Sequence, residues 1–170
     1  SAYEMLKNKQ FLVNTYLGKP DYWNVKPPLS FLSVAAGFVL CGYNAVGLRF
    51  FSALFYLLTV IFTGLFARKY SRLASLLTMV FLCANYFPFK AHLARAGDAD
   101  SLYLLLFTLS MLCMLKVRDN GLWLYACGLF FSLAFLTKSF HAGMIAAVGG
   151  LFLLLTKELF HQKPKRWIIF

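Results

Sequence analysis

Polar positions dominate the first part of this chain, and from Leu29 onward apolar runs alternate with short polar breaks. In residues 1–8, Ala2, Met5 and Leu6 recur among Tyr3, Glu4 and Lys7, a spacing that predicts a short amphipathic helix lying on a membrane surface. Residues 9–22 are mixed and carry Gly18-Lys19-Pro20-Asp21, which reads as a turn in a loop outside the bilayer. Lys26-Pro27-Pro28 follows. Proline fixes its own φ and pushes the residue before it toward extended backbone, so the Lys26 ammonium is expected on a stiff, non-helical segment, with Pro28 opening a helix. The apolar run 29–41 ends at Gly42-Tyr43-Asn44. As a helix of about 13 residues it reaches roughly 20 Å, short of a bilayer core of roughly 30 Å, so it is expected to lie in the interface or re-enter. Five spans are predicted after it: Ala45–Ala67, 73–94, 100–117, 122–137 and 142–156. The tight polar connections 68–72 and 116–121 suit helical hairpins.

Composition makes this a membrane protein. The chain has 170 residues, 61% of them hydrophobic and 14% charged, with a mean hydropathy of +0.68, beyond what a soluble core of this size requires. A formal charge of +11, from 17 Lys and Arg against 6 Asp and Glu, would suggest nucleic acid in a soluble protein. Here the cations fall between apolar runs, so membrane lipid headgroups and phosphate are the expected partners and nucleic acid is not. Each span reverses the chain, so if 29–41 does not cross, Lys26, the 92–100 segment and the 138–141 segment share one face. The other face then receives Arg68, Lys69, Arg72, Lys116, Arg118, Lys157, Lys163, Lys165 and Arg166, and the positive-inside rule makes it cytoplasmic. This divides one membrane domain into an outer loop with juxtamembrane helices (1–43), five transmembrane helices (44–160) and the start of a basic cytoplasmic loop (161–170). The chain begins with Ser1, shows no charged-then-apolar leader and reads as a piece of a longer one. Cys41, Cys83, Cys113 and Cys127 lie in apolar runs without paired spacing and are expected to be buried small hydrophobes.

Candidate chemistry is concentrated in Ala94-Arg95-Ala96-Gly97-Asp98-Ala99-Asp100. Helix capping accounts for one aspartate, whereas a second carboxylate near bilayer depth is costly unless it faces protein or a wet cavity. Lys138 closes one apolar run at the same face, as a snorkelling lysine or as a phosphate contact. Arg49, five residues into a span, either snorkels or pairs with an outer carboxylate. His92 and His141 share that face, and His161 sits in the basic tail. No two histidines have metal-ligand spacing. Tyr22, Trp23 and Trp167 suit interface anchoring. P-loop, dinucleotide-binding, nucleophile-elbow and Cys-x-x-Cys patterns are absent, which removes the common soluble-enzyme chemistries.

Taken in order, Val25-Lys26-Pro27-Pro28-Leu29, Gly42-Tyr43-Asn44 with Leu48-Arg49-Phe50-Phe51-Ser52-Ala53-Leu54, Ala94-Arg95-Ala96-Gly97-Asp98-Ala99-Asp100 and Leu136-Thr137-Lys138 resemble the dolichyl-phosphate-mannose protein mannosyltransferase and aminoarabinose transferase families. These are C-type membrane glycosyltransferases. The resemblance implies an all-α, polytopic transmembrane helical bundle of the GT-C type in a bacterial inner membrane. It also implies a polyprenyl-phosphate sugar donor, a lipid, glycan or protein acceptor, and transfer with inversion at the outer face. Carried over by position, Lys26 contacts the donor phosphate with Arg95 and Lys138 beside it. Asp100, with Asp98 next to it, is the second essential acid. The first, an Asp-Glu pair, belongs shortly before Ser1, so these residues alone are expected to be inactive. Several relatives carry an acidic residue where Val25 stands, and in some it helps hold a metal; no metal site is assigned here and no cofactor is required. The competing class is a flippase or transporter of lipid-linked sugars, whose mark is paired broken helices at the midplane. Only Pro88 hints at such a break.

Overall fold

The computed structural model describes residues 2–13, 15–21, 26–86, 89, 94 and 96–157. Among the described residues, seven α-helices run in chain order: α1 Ala2–Asn8, α2 Pro28–Cys41, α3 Ala45–Ala67, α4 Arg72–Ala84, α5 Ala99–Lys116, α6 Trp123–Lys138 and α7 Gly143–Leu155. A 3-10 turn, Ser139–Ala142, joins the last two.

Between α1 and α2 the chain forms a small antiparallel ribbon, β1 Thr15–Tyr16 against β2 Lys19–Pro20. The turn is centred on Leu17 and Gly18, at φ 52° and 76°, the two positive values that a tight hairpin of this hand requires. It therefore lies one residue earlier than the expected 18–21 turn, and Lys19 and Pro20 are strand. Glu4 of α1 accepts from the Gly18 amide at 3.3 Å. Ala2 is buried against Val34 and Ala35, so α1 rests on α2.

Pro28 opens α2, and Pro27 before it is extended at ψ 159°. Asn44 then organises the α2–α3 corner from both sides. Its amide nitrogen donates to the Cys41 carbonyl at 2.8 Å, and its carbonyl oxygen accepts from the Gly47 amide at 2.8 Å, capping one helix end and the next helix start. Gly42 makes the bend possible at φ 79°. Gly37 of α2 meets the Gly47 backbone, and Leu29 and Phe55 pack on the same core cluster, so α2 rests against α3. With 14 residues, α2 spans about 21 Å.

α3 is a 23-residue apolar helix long enough to cross a membrane. α4 runs antiparallel to it: Ser75 Oγ donates to the Gly64 carbonyl at 2.8 Å and Tyr56 Oη to the Leu82 carbonyl at 2.7 Å. The second expected span, 73–94, is corrected by α4, which stops at Ala84, with Asn85 extended at ψ 120°. Pro88 lies four residues past Ala84 in the sequence, and a proline ring clashes with the carbonyl four residues before it, ending the helix there. The remaining 13 residues give only about 20 Å.

α5 and the stretch Trp123–Leu155 are also long and apolar enough to span. That stretch folds back on itself. Ser110 of α5 bonds Cys127 near the start of α6, while Asp100 at the start of α5 meets Lys138 at the end of α6. Ile145 then packs with Leu102 and Leu106, and Leu153 with Cys113 and Val117. Thus α6 is antiparallel to α5 and α7 parallel to it. The cysteine expectation needs correction: Cys113 and Cys127 are buried, Cys41 is half-buried and Cys83 is exposed, because α4 buries only Ser75 and turns most of its surface outward. The chain is an integral membrane protein whose α2 start, α3 start, α5 start and α6–α7 turn gather at one end.

Candidate active site

The end of the bundle where those elements meet holds two lysine–aspartate pairs. Lys26 Nζ lies 2.7 Å from Asp98 Oδ1, a contact that joins the segment before α2 to the start of α5. Asp98 also caps α5: it is extended, at φ −121° and ψ 166°, and the same Oδ1 accepts from the Ala99 amide at 2.7 Å. One carboxylate therefore meets both the helix N-terminus and an ammonium, an arrangement favoured by the positive end of the helix dipole. Gly97 brings this corner close to α3, since a Cβ there would lie 2.5 Å from the Leu48 carbonyl oxygen. A cavity of about 230 Å³ opens beside the pair, lined by Lys26, Ser30, Phe31 and residues 96–99.

Asp100, in the first turn of α5, faces a different cation. Its Oδ1 is 2.5 Å from Lys138 Nζ, and both side chains are less than one-third exposed. Lys138 is available because α6 ends there: Ser139 takes φ 40°, an unfavourable value for a residue with a Cβ, and the chain leaves the helix axis. Tyr103 reinforces the turn by donating its hydroxyl to the His141 carbonyl at 2.6 Å. The Lys138 ammonium also lies 5.9 Å from the Tyr103 ring centre.

Lys26, Asp98, Asp100 and Lys138 are thus brought to one end, but Lys26 pairs with Asp98 and not with Asp100. The cavity beside Lys26 takes in Asp98, while Asp100 turns to Lys138. Arg95 and His92 lie outside the described residues, as do Tyr22, Trp23, Pro88, His161, Trp167 and the expected basic stretch 161–170. Arg49 is exposed on α3, lining a groove of about 530 Å³ made by that helix alone, and among the described residues no carboxylate pairs with it. Tyr103 did not emerge from the sequence reading, yet its spacing of three from Asp100 places both on one face of α5. Among the described residues no group of three or more His, Cys, Asp or Glu side chains converges as a metal set would.

Two ammonium groups in direct contact with two carboxylates can meet phosphate oxygens with charge-assisted hydrogen bonds and hold an acceptor hydroxyl against a base. Residues 25–170 match the family model described as dolichyl-phosphate-mannose-protein mannosyltransferase. The chain is 33% identical over 159 residues to a protein of Aquifex aeolicus (strain VF5) described as uncharacterized, covering 91% of this chain and 31% of that one. Its fold is similar to that of ArnT from Cupriavidus metallidurans, in a crystal structure of the apo state, with a TM-score of 0.76 and 21% identity, covering 99% of this chain and 32% of that one. The chain spans about a third of the length of these relatives. The match over nearly all its residues and the polytopic GT-C bundle together place it: the chain belongs to the dolichyl-phosphate-mannose-protein mannosyltransferase family.

Proposed function

We propose that the chain is part of an integral membrane glycosyltransferase that moves a sugar from a polyprenyl-phosphate donor to a lipid, glycan or protein acceptor at the outer face of the membrane, with inversion. The observation that carries this reading is the meeting of both lysine–aspartate pairs at one end of the bundle, in a chain of this family. A sugar–phosphate bond breaks toward a leaving phosphate, so fixed cations stabilise the charge that develops there. Lys26 and Lys138 take that part, with Arg95 as a third contact. Asp100 then deprotonates or orients the acceptor, and Asp98 holds Lys26 in place while capping α5.

The same reading puts residues 44–160 across the membrane as five segments, leaves α1, the ribbon and α2 on the outer side, and places 161–170 on the cytoplasmic side. Two measurements test it. In the full-length protein, membranes carrying Lys26→Ala or Asp100→Asn are assayed for sugar transfer from a labelled polyprenyl-phosphate donor, and normal transfer by both variants and their double overturns the assignment. In a cysteine-free background, single cysteines replacing Lys19 and Phe140 are expected to react from one side of the membrane and one replacing Arg118 from the other. Labelling of Lys19 and Phe140 positions from opposite sides refutes the topology.

A further inference from the structure

At the end of the bundle away from the lysine–aspartate pairs, α3, α5 and α6 leave a second cavity between them. It has a volume of about 410 Å³, apolar walls that include Phe62, Leu112 and Phe130, and a mouth formed by Lys69, Lys116 and Trp123. Its depth, from Leu109 to Lys116, is about 10 Å, two turns of helix. Both ammonium groups are held at the mouth by aromatic faces, Lys116 at 4.4 Å from the Trp123 ring centre and Lys69 at 4.9 Å from that of Phe66. Among the described residues, no carboxylate lines the groove. Around it this end carries Arg68, Lys69, Arg72, Lys116, Arg118 and Lys157 against Asp119 alone among the described residues.

We propose that this groove holds one anionic phospholipid, with an acyl chain between α3, α5 and α6 and the phosphate across Lys69 and Lys116. Charge complementarity selects this occupant. An apolar helix packed into the groove would bury two ammonium groups with no anion to meet them, a costly arrangement at membrane depth. A zwitterionic lipid would add a cation beside them. A phosphate diester with a net negative charge satisfies both ammoniums, while the apolar walls and the indole of Trp123 suit the chain and the headgroup boundary. The proposal is independent of sugar transfer and of the lysine–aspartate pairs.

The test uses the full-length protein, stripped of lipid in detergent and titrated with phosphatidylglycerol or phosphatidylcholine under native mass spectrometry. Phosphatidylglycerol is expected to be retained in preference to phosphatidylcholine. Lys69→Gln with Lys116→Gln should weaken its binding about 25-fold, about five-fold for each charge lost, while Lys69→Arg with Lys116→Arg keeps it. Leu112→Trp should fill the groove and expel the lipid with both lysines in place. Equal binding of the two lipids, or unchanged phosphatidylglycerol binding in the glutamine pair, overturns the proposal. So does cross-linking of a Leu112→Cys variant to another segment of the same chain, which would show the groove already covered by protein.

Discussion

Asp100→Asn separates a structural role for this carboxylate from a chemical one, because the two carry different magnitudes. Asp98, not Asp100, is the N-cap of α5, so losing the Asp100 charge leaves the cap intact. What the substitution removes is the ionic character of the 2.5 Å contact with Lys138. A hydrogen bond between charged partners contributes about 1.5 to 3 kcal/mol, and a neutral amide oxygen retains roughly half of that. The structural cost is therefore about 1 kcal/mol, which lowers the amount of folded protein without altering the turnover of what folds. A carboxylate acting as base or acceptor-orienting group contributes about 100- to 10,000-fold to rate. Transfer is measured in membranes from cells expressing the full-length variant and normalised to folded protein. Donor binding is followed in parallel and should change little. A drop of at least about 100-fold is expected if Asp100 acts in the reaction. Transfer within about five-fold of the parent, which is what a 1 kcal/mol effect can produce, refutes the chemical role and leaves Asp100 as an anchor for the α6–α7 turn.

Three further outcomes follow from the geometry. Lys26→Ala should lower transfer by roughly one to two orders of magnitude and weaken donor binding, since a charge-assisted contact to phosphate contributes about 1.5 to 3 kcal/mol; its half-exposed pair with Asp98 adds at most about 1 kcal/mol to stability, so a large fall in thermal stability with unchanged donor binding contradicts the assignment. Gly97→Ala drives a Cβ to 2.5 Å from the Leu48 carbonyl oxygen and should cost about 1 to 3 kcal/mol while displacing Asp98, read as a lower melting temperature together with reduced transfer. The Glu4 carboxyl is held below its ordinary value of 4.5 by the Thr15 hydroxyl first and then the Gly18 amide, against desolvation; a depressed folded value means the contact is fully present above the unfolded value and is lost as pH falls through the folded one, so the protection of the Gly18 amide against hydrogen exchange, taken relative to its intrinsic rate at each pH, should fall on acidification below about pH 4.5, and Glu4→Gln should flatten that dependence.

The parts of this architecture that the sequence made legible rest on short-range rules. The length and apolarity of α3 identify it as a span. Lys26-Pro27-Pro28 fixes where α2 begins, and Gly42 with Asn44 fixes where it ends. Two features went unread for definite reasons. The end of α4 was placed too late because hydrophobicity continues past Ala84, whereas backbone sterics from Pro88 act four residues earlier. Which lysine meets which aspartate went unread because parity tells which groups share an end and is silent on side-chain direction. Asp98 is the extended N-cap and Asp100 lies in the first turn of α5, so their side chains leave different backbone conformations and each meets its own lysine.

Separate pairing governs how an anionic molecule reaches the site. Each lysine is already matched by a carboxylate, so from a distance the two pairs present dipoles and not bare charge. A dipole field decays faster than that of an ion and is further screened within about 8 to 10 Å in salt. Little long-range pull on dissolved anions is expected from these four groups, and free phosphate or nucleotides in bulk water gain small advantage in encounter rate. A membrane-borne phosphate needs no such pull, because it is already confined to the plane in which the bundle sits and meets the lysines by lateral diffusion. Under the proposed function, such a phosphate competes with Asp98 and Asp100 for the ammonium groups only at contact distance, and the carboxylate it frees from Lys138 is Asp100, the proposed base.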